Sequence, residues 1–181
     1  KDLLTNHPDK GIRQRAQKVV GSEVNSDRAK IVRSYETALE LKGDVSNGKQ
    51  VYMKNCAACH KVGDQGHNVG PNLATTKNKS DNDLLIAILD PSRKAQSNYN
   101  AYTIVTEQVK LYTGIIAAET ATSYTIRRAE GKEDIILRNN IDTLLSNGVS
   151  LMPNGLEKEI SPQQMADLLE FIKTLEAPPE K

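Results

Sequence analysis

The chain has 181 residues and a formal net charge of +1, a length that suits one domain with an appendage or two small domains. The balanced charge argues against a nucleic-acid-binding protein, which would usually concentrate basic residues on one face. No apolar run approaches the roughly 20 residues that a helix needs to cross a bilayer, so the sequence predicts no transmembrane segment. Aromatic residues make up only 4% of the chain, so the core must be filled by aliphatic side chains or by a group that is not protein.

Residues 1–45 predict two polar, amphipathic helices that pack beside the main domain. Pro8 can occupy the first turn of the earlier helix, and apolar residues then recur at helical spacing among Lys and Arg. The later helix is predicted at about residues 28–41. We therefore interpret residues 1–45 as an N-terminal helical extension or linker.

Two further helices are predicted on either side of a glycine-rich loop at residues 62–73. Ser46 opens a Ser-Asn-Gly sequence that predicts a helix cap, and the helix it starts runs to Cys56. Ser80, with an acidic residue three positions later, predicts the start of a short helix. Pro91 ends that helix.

The stretch 101–145 changes from helical to strand-like periodicity. Four short runs are rich in β-branched and aromatic residues, at 103–106, 111–116, 123–126 and 134–137. A turn at 130–132 separates the last two. These runs predict a small antiparallel sheet of three or four strands.

Residues 146–181 return to a helical pattern, and Ser161 marks the clearest helix start in the chain. Pro162 suits the first turn, and the side chain of Gln164 can reach back to the cap. Apolar residues then follow at helical spacing. The sequence predicts a C-terminal amphipathic helix.

The chain has two cysteines, Cys56 and Cys59, and His60 follows the second. Two thiols three positions apart at a helix end can both reach the vinyl groups of one porphyrin and form thioethers. The next imidazole is then held where its nitrogen can bind the iron. The pattern predicts one haem c, attached covalently through Cys56 and Cys59, with His60 as the proximal iron ligand.

Three other interpretations of the motif compete with haem. A structural zinc ion needs four ligands, and the other histidines, His7 and His67, are too few and are not spaced as a partner pair. A redox-active dithiol normally lies between a strand and a helix, whereas here a helix precedes the motif and a glycine-rich loop follows. The third is a chance occurrence. The haem interpretation is favoured over all three.

The Val-Gly-Pro-Asn-Leu run at 69–73 supplies a partner for the histidine. A metal-bound imidazole needs its second ring nitrogen hydrogen-bonded, because that bond fixes its tautomer and orientation. Pro71 offers a carbonyl, and Gly70 lets the loop approach closely. We expect the Pro71 carbonyl to accept a hydrogen bond from His60; the alternative is an ordinary Gly-Pro turn.

These motifs resemble those of a class I cytochrome c. The resemblance covers about residues 46–100 and 146–176, and it rests on the C-A-A-C-H motif, the G-P-N-L run and a Met-Pro pair ahead of the last helix. The D-P-S-R and S-L-M-P-N-G-L runs are similar, more narrowly, to those of the C-terminal haem-binding domains of large exported dehydrogenase-like proteins of planctomycete type. The narrower resemblance extends through the strand-rich stretch.

The resemblance implies a mainly α fold: a cytochrome c-like helical core at 46–176 with the small antiparallel sheet inserted in it and a helical extension before it. The first and last helices would cross over the haem, where Gly48 or Tyr52 would meet Phe171 and Leu168. The inserted sheet departs from a compact cytochrome c, because it separates the proximal helix from the distal loop.

Met152 stands where the family pattern places the sixth iron ligand, in a loop before a proline and shortly ahead of the last helix. Met53 shares a helix with Cys56, so it cannot reach the opposite haem face. Met165 lies on the apolar stripe of the last helix and is interpreted as a core residue. His67 is the alternative ligand, on a loop that is expected to lie near the proximal side.

Three residues are weaker candidates for a role at the haem edge. Arg93, Tyr99 and Tyr102 could hydrogen-bond a propionate. The alternative is a solvated arginine and two tyrosines of the first strand. Both interpretations stay open.

The resemblance implies one-electron transfer, because a haem with both His and Met ligands has no open site for a substrate. The donor would be a dehydrogenase domain in the same polypeptide or a redox partner protein. The chain opens at Lys1 with no initiating Met and no signal peptide. We expect it to derive from a longer polypeptide that is periplasmic or otherwise exported.

Two other functions compete with electron transfer. Without Met152 as a ligand, a five-coordinate haem could serve a gas sensor or a peroxidase-like enzyme, although the sequence offers no obvious distal His and Arg pair. Alternatively, the inserted sheet could make the domain chiefly a docking module.

Overall fold

The computed structural model describes residues 26–93 and 95–176, so the predicted helix at Pro8 lies outside the described residues. This part of the chain forms α-helices and one antiparallel sheet. The helices are α1 (Ser26–Ser34), α2 (Val45–Asn55), α3 (Asp81–Leu89) and α4 (Pro162–Lys173). The strands are β1 (Asn100–Thr106), β2 (Leu111–Glu119), β3 (Ser123–Arg127), β4 (Glu133–Leu137) and β5 (Ile141–Ser150). Within the described ranges, no helix has the length and apolar character needed to cross a membrane.

Side-chain caps fix where the helices begin. The caps predicted at Ser80 and Ser161 are confirmed: Ser80 accepts from the Asp83 backbone N–H, and Ser161 forms a full capping box. The cap predicted at Ser46 is wrong. Helix α2 begins earlier because the Asp44 carboxylate accepts the Asn47 N–H at 2.8 Å and so satisfies a first-turn donor.

Helices α2 and α4 cross at very close range, because Gly48 has no side chain. A Cβ placed on Gly48 would overlap the main-chain oxygen of Asp167 and lie 2.7 Å from the Phe171 Cβ. The rings of Tyr52 and Phe171 follow at 5.5 Å between centroids. The predicted contact of Gly48 and Tyr52 with Phe171 is therefore present.

Helix α1 belongs to the main core. It ends at Ser34, short of the predicted residue 41, and a 3₁₀ helix at Glu36–Leu39 follows. Val32, Tyr35 and Ala38 are all at most 9% exposed and pack with apolar residues of the other three helices. The domain boundary at residue 45 stays a prediction, and the described apolar residues ahead of it pack into the helical core.

The sheet has five strands in the order β4-β3-β2-β1-β5, with antiparallel neighbours throughout. It encloses a small core of its own around Ile104, Ile126 and Ile136. The four predicted strands are present, and β5 is an additional strand. The helical interpretation of residues 146–150 is wrong, because pairing with β1 holds them extended. The mainly α expectation is thus supported only in part.

Candidate haem site

The end of α2 turns tightly and brings three reactive side chains to one place. The Cys56 N–H still donates to the Tyr52 carbonyl at 2.8 Å, and the Cys56 carbonyl then accepts from Cys59 N–H (3.0 Å) and His60 N–H (2.9 Å). Both thiols and the imidazole line a single cavity as a result.

The cavity measures about 610 Å³, within the roughly 300–1,000 Å³ range of cofactor pockets. Its walls come from the ends of α2 and β5, from α3, α4 and β2, and from the connecting loops, and they are mostly apolar. They include Leu73, Leu84, Ala87, Ile88, Ile115, Leu151, Leu156, Leu168 and Ile172. A large, flat, apolar group suits such a lining.

His60 is held as a ligand-ready imidazole. Its Nδ1 lies 2.7 Å from the Pro71 carbonyl oxygen, and a carbonyl can only accept, so Nδ1 carries the proton and Nε2 keeps its lone pair. Burial lowers the pKa of His60, which favours the neutral ring. The contact predicted between His60 and Pro71 is thus present; the role of both residues toward a haem stays a prediction.

Gly70 packs directly against the His60 ring. A Cβ at this position would lie 2.5 Å from Cε1 and 2.9 Å from Nδ1 of the imidazole. The Cys59 carbonyl accepts the N–H groups of Val69 and Gly70, at 2.9 and 2.7 Å, which fixes the loop in place. The ring and the loop therefore leave no room for a side chain.

Gly70→Ala is expected to displace the His60 ring and to destabilise the protein by about 2 kcal/mol, a typical cost of overpacking. Thermal unfolding measures the loss, and the reduction potential of the haem-loaded protein reports the altered imidazole. Gly63→Asn is the control. Gly63 has φ +56°, a backbone conformation that Asn tolerates, and a Cβ placed on it would have no atom within 4 Å. Equal stability of the two variants would contradict the close contact between Gly70 and the His60 ring.

The state of the thiols does not suit a redox dithiol. Burial, with a smaller contribution from Cys59, raises the pKa of the Cys56 thiol to about 12, and burial also raises the pKa of Cys59. Reactive dithiols instead have a lowered thiol pKa. Among the described residues no group of three His, Cys, Asp or Glu side chains could hold a metal ion, which does not favour zinc. Two thiols, one imidazole and an apolar cavity fit a covalently bound haem.

Of the three methionines, Met152 alone lines the cavity. It lies in the loop between β5 and α4. Met165 is fully buried in the core and Met53 is 47% exposed on α2, in line with their interpretation from the sequence. His67 is exposed and does not line the cavity.

Of the three residues predicted as candidates at the haem edge, only one lines the cavity. Tyr99 lines the cavity and precedes the first strand, whereas Arg93 is exposed and Tyr102 lies within β1, away from the lining. Ile115 of β2 is a cavity residue that sequence reasoning missed. Only its β-branched strand character was visible, and the face it presents depends on the pairing of β2. Leu156 was missed likewise.

The sheet also touches the cysteine motif. In the turn between β3 and β4 the Glu130 N–H donates to the Ala58 carbonyl at 2.6 Å. At the end of β3 the Arg127 guanidinium donates to the Asn68 carbonyl at 3.0 Å. The sheet is therefore hydrogen-bonded to the cysteine motif and to the loop that follows it.

A thiol pair at the end of α2, an oriented imidazole and an apolar cavity together fit a haem-attachment domain. Residues 45–113 match the family model of cytochrome c. Domains of the matched family are typically electron-transfer modules that carry a covalently bound c-type haem. The matched range ends within β2, so Met152 and α4 lie beyond it.

Proposed function

We propose that this domain transfers single electrons through one haem c, attached through Cys56 and Cys59 and ligated by His60 and Met152. The observation that carries the proposal is that these four side chains line the same apolar cavity. A bound haem would supply a reversible one-electron couple at its iron.

The protein's own residues provide orientation and exclusion of water. Pro71 fixes the tautomer and direction of His60, and the Tyr52 hydroxyl donates to the His60 carbonyl at 2.8 Å from a fully buried position. Apolar walls lower the local dielectric around the site, which is a recognised means of tuning a haem potential.

The cavity lining supports electron transfer over the peroxidase-like alternative. The described residues that line it include no second histidine, no arginine and no carboxylate. Acid–base chemistry on a bound peroxide would need such groups in hydrogen-bond reach. A thioether as the second ligand also favours reduced iron, which suits an electron acceptor.

The electron donor is proposed to be a dehydrogenase, either fused in the same polypeptide or bound as a partner. This follows the narrower resemblance of the Met152 loop and the neighbouring runs. Because haem is attached to cysteines outside the cytoplasm, we propose that the holoprotein is periplasmic or otherwise exported. Cell fractionation with haem staining tests that location, and holoprotein confined to the cytoplasm would contradict it.

The haem is expected to stay on the polypeptide after denaturation in acid and organic solvent, because thioethers are covalent. The protein should be produced in a host with haem-attachment machinery, and the absorbance spectrum recorded in both oxidation states. A Cys56→Ala, Cys59→Ala double variant is the control, and any haem it binds should be extractable. Free extraction of the haem from the wild-type protein would refute the proposal.

A further inference from the structure

The segment that carries Met152 is hydrogen-bonded at each of its two ends to a different part of the fold. This segment, residues 151–160, is called the distal segment below. At its start the Leu151 N–H donates to the Tyr99 carbonyl at 3.0 Å, and the Ser150 N–H donates to the Ser92 hydroxyl at 3.1 Å. The Met152 N–H then donates to the Ser150 hydroxyl at 3.1 Å.

The far end of the distal segment is held by hydrogen bonds from Arg28 of α1 and from Tyr35, the residue after α1. The Tyr35 hydroxyl lies 2.8 Å from the Glu157 carbonyl and 2.6 Å from the Ile160 carbonyl. Tyr35 is 9% exposed and Ile160 is 1% exposed. Loss of the hydroxyl would therefore leave the buried Ile160 carbonyl and the partly buried Glu157 carbonyl without this donor.

Arg28 adds a second connection to the same point. Its guanidinium pairs with both oxygens of the Glu157 carboxylate, at 2.5 and 3.1 Å, and donates to the Leu89 carbonyl at 2.9 Å. Both side chains of the pair are only 12% exposed. A bidentate pair of this kind fixes geometry as well as charge. Glu157 is thus held through its backbone and through its side chain.

The held point is close to the cavity. Leu156, the residue before Glu157, lines the cavity together with Met152 and Pro153. Helix α1 precedes the range 45–113 that matches the cytochrome c family, so this support comes from outside the matched part of the domain.

We infer that Arg28 and Tyr35 are positioning residues for Met152: helix α1 fastens the distal segment and thereby keeps the thioether at the haem. The inference rests on the proposed function, since it takes Met152 to be an iron ligand. It assigns residues 26–39 a role at the haem site, although none of them lines the cavity.

Tyr35→Phe tests this in the haem-loaded protein, and Tyr52→Phe is a matched control. Each change deletes one hydroxyl from a buried ring that hydrogen-bonds two backbone carbonyls. The Tyr52 hydroxyl, however, contacts His60 and Gln65 at 2.8 and 3.1 Å, on the proximal side. Tyr35→Phe is expected to raise the rate of cyanide binding to the oxidised protein about tenfold, equivalent to about 1.4 kcal/mol. Tyr52→Phe should raise that rate less than Tyr35→Phe does, because the carbonyl groups that lose their donor lie on the proximal side.

Amide hydrogen exchange gives a second readout that does not depend on iron ligation. Tyr35→Phe should accelerate exchange in the distal segment, whereas Tyr52→Phe should accelerate it around Gln65. Exchange of the distal segment that is unchanged in Tyr35→Phe, or equal in both variants, would overturn the inference. If Tyr35→Phe does not fold, Arg28→Lys keeps the charge but loses the bidentate geometry, and it is expected to show the same pattern. A missing sulfur-to-iron band in the wild-type protein would instead refute Met152 ligation itself.

Discussion

Met152→Ala is expected to abolish the weak sulfur-to-iron charge-transfer band of the oxidised protein and to lower its reduction potential. A thioether ligand favours reduced iron, so its loss should lower the potential by on the order of 100 mV, within the roughly 0.8 V range that axial ligands control. The same change should open the iron to carbon monoxide and cyanide. Absorbance spectroscopy, redox titration and ligand binding measure the three effects.

Two methionine variants serve as controls for Met152→Ala. Met165→Leu keeps nearly the same volume in a fully buried position, so its effect on folding should stay below about 1.5 kcal/mol and its spectrum should match wild type. Met53→Ala removes a half-exposed side chain on α2 and should also keep the band. If Met152→Ala keeps the band and the potential, Met152 is not the sixth ligand and that part of the proposal is wrong.

Gly48→Ala is expected to destabilise the protein by about 2 kcal/mol and to lower Tm by roughly 5 °C. Alanine would by itself favour a helix over glycine by up to about 1 kcal/mol, so the sign depends on the crossing with α4. There the new Cβ meets a backbone oxygen at Asp167 and lies 2.7 Å from the Phe171 Cβ. Neither group can rotate away, and α2 and α4 must separate.

Lys49→Ala tests whether the loss is specific to the crossing. Lys49 is the next residue on α2 and is exposed, so its replacement should change the free energy of unfolding by less than about 0.5 kcal/mol. Because Leu168 and Ile172 of α4 line the cavity, Gly48→Ala should also reduce the yield of haem-loaded protein. A Gly48→Ala protein as stable as wild type would show that the helices are not locked at this distance.

Features set by near neighbours in the chain could be predicted from the sequence. The capping box at Ser161 needs only residues three apart, and the thiol spacing of Cys56 and Cys59 is a local match to one haem edge. The contact of Pro71 with His60 spans a short loop, so it could be predicted from the need of a metal-bound imidazole for a hydrogen bond at its second nitrogen. Local physical chemistry therefore predicted most of the proximal side.

Features that depend on distant partners could not be predicted. Strand β5 has the mixed sequence IDTLLSNGVS, and it is extended because β1 lies beside it, not because of strong strand propensity. The bond from Tyr35 to Ile160 joins residues that are 125 positions apart. A hydroxyl on a polar helix gives no sign of such a partner, so the support of the distal segment was visible only in the fold.

The inserted sheet leaves the helical core and rejoins it at the same place. Asn100 and Ser150 are register partners across β1 and β5, and the Leu151 N–H bonds back to the Tyr99 carbonyl. In polymer terms, the insertion is a loop whose ends are already closed, and closure entropy rises only slowly with loop length. Lengthening the hairpins at the outer turns should therefore add little strain at Met152. Separation of His60 and Met152 along the chain does not set their separation in space.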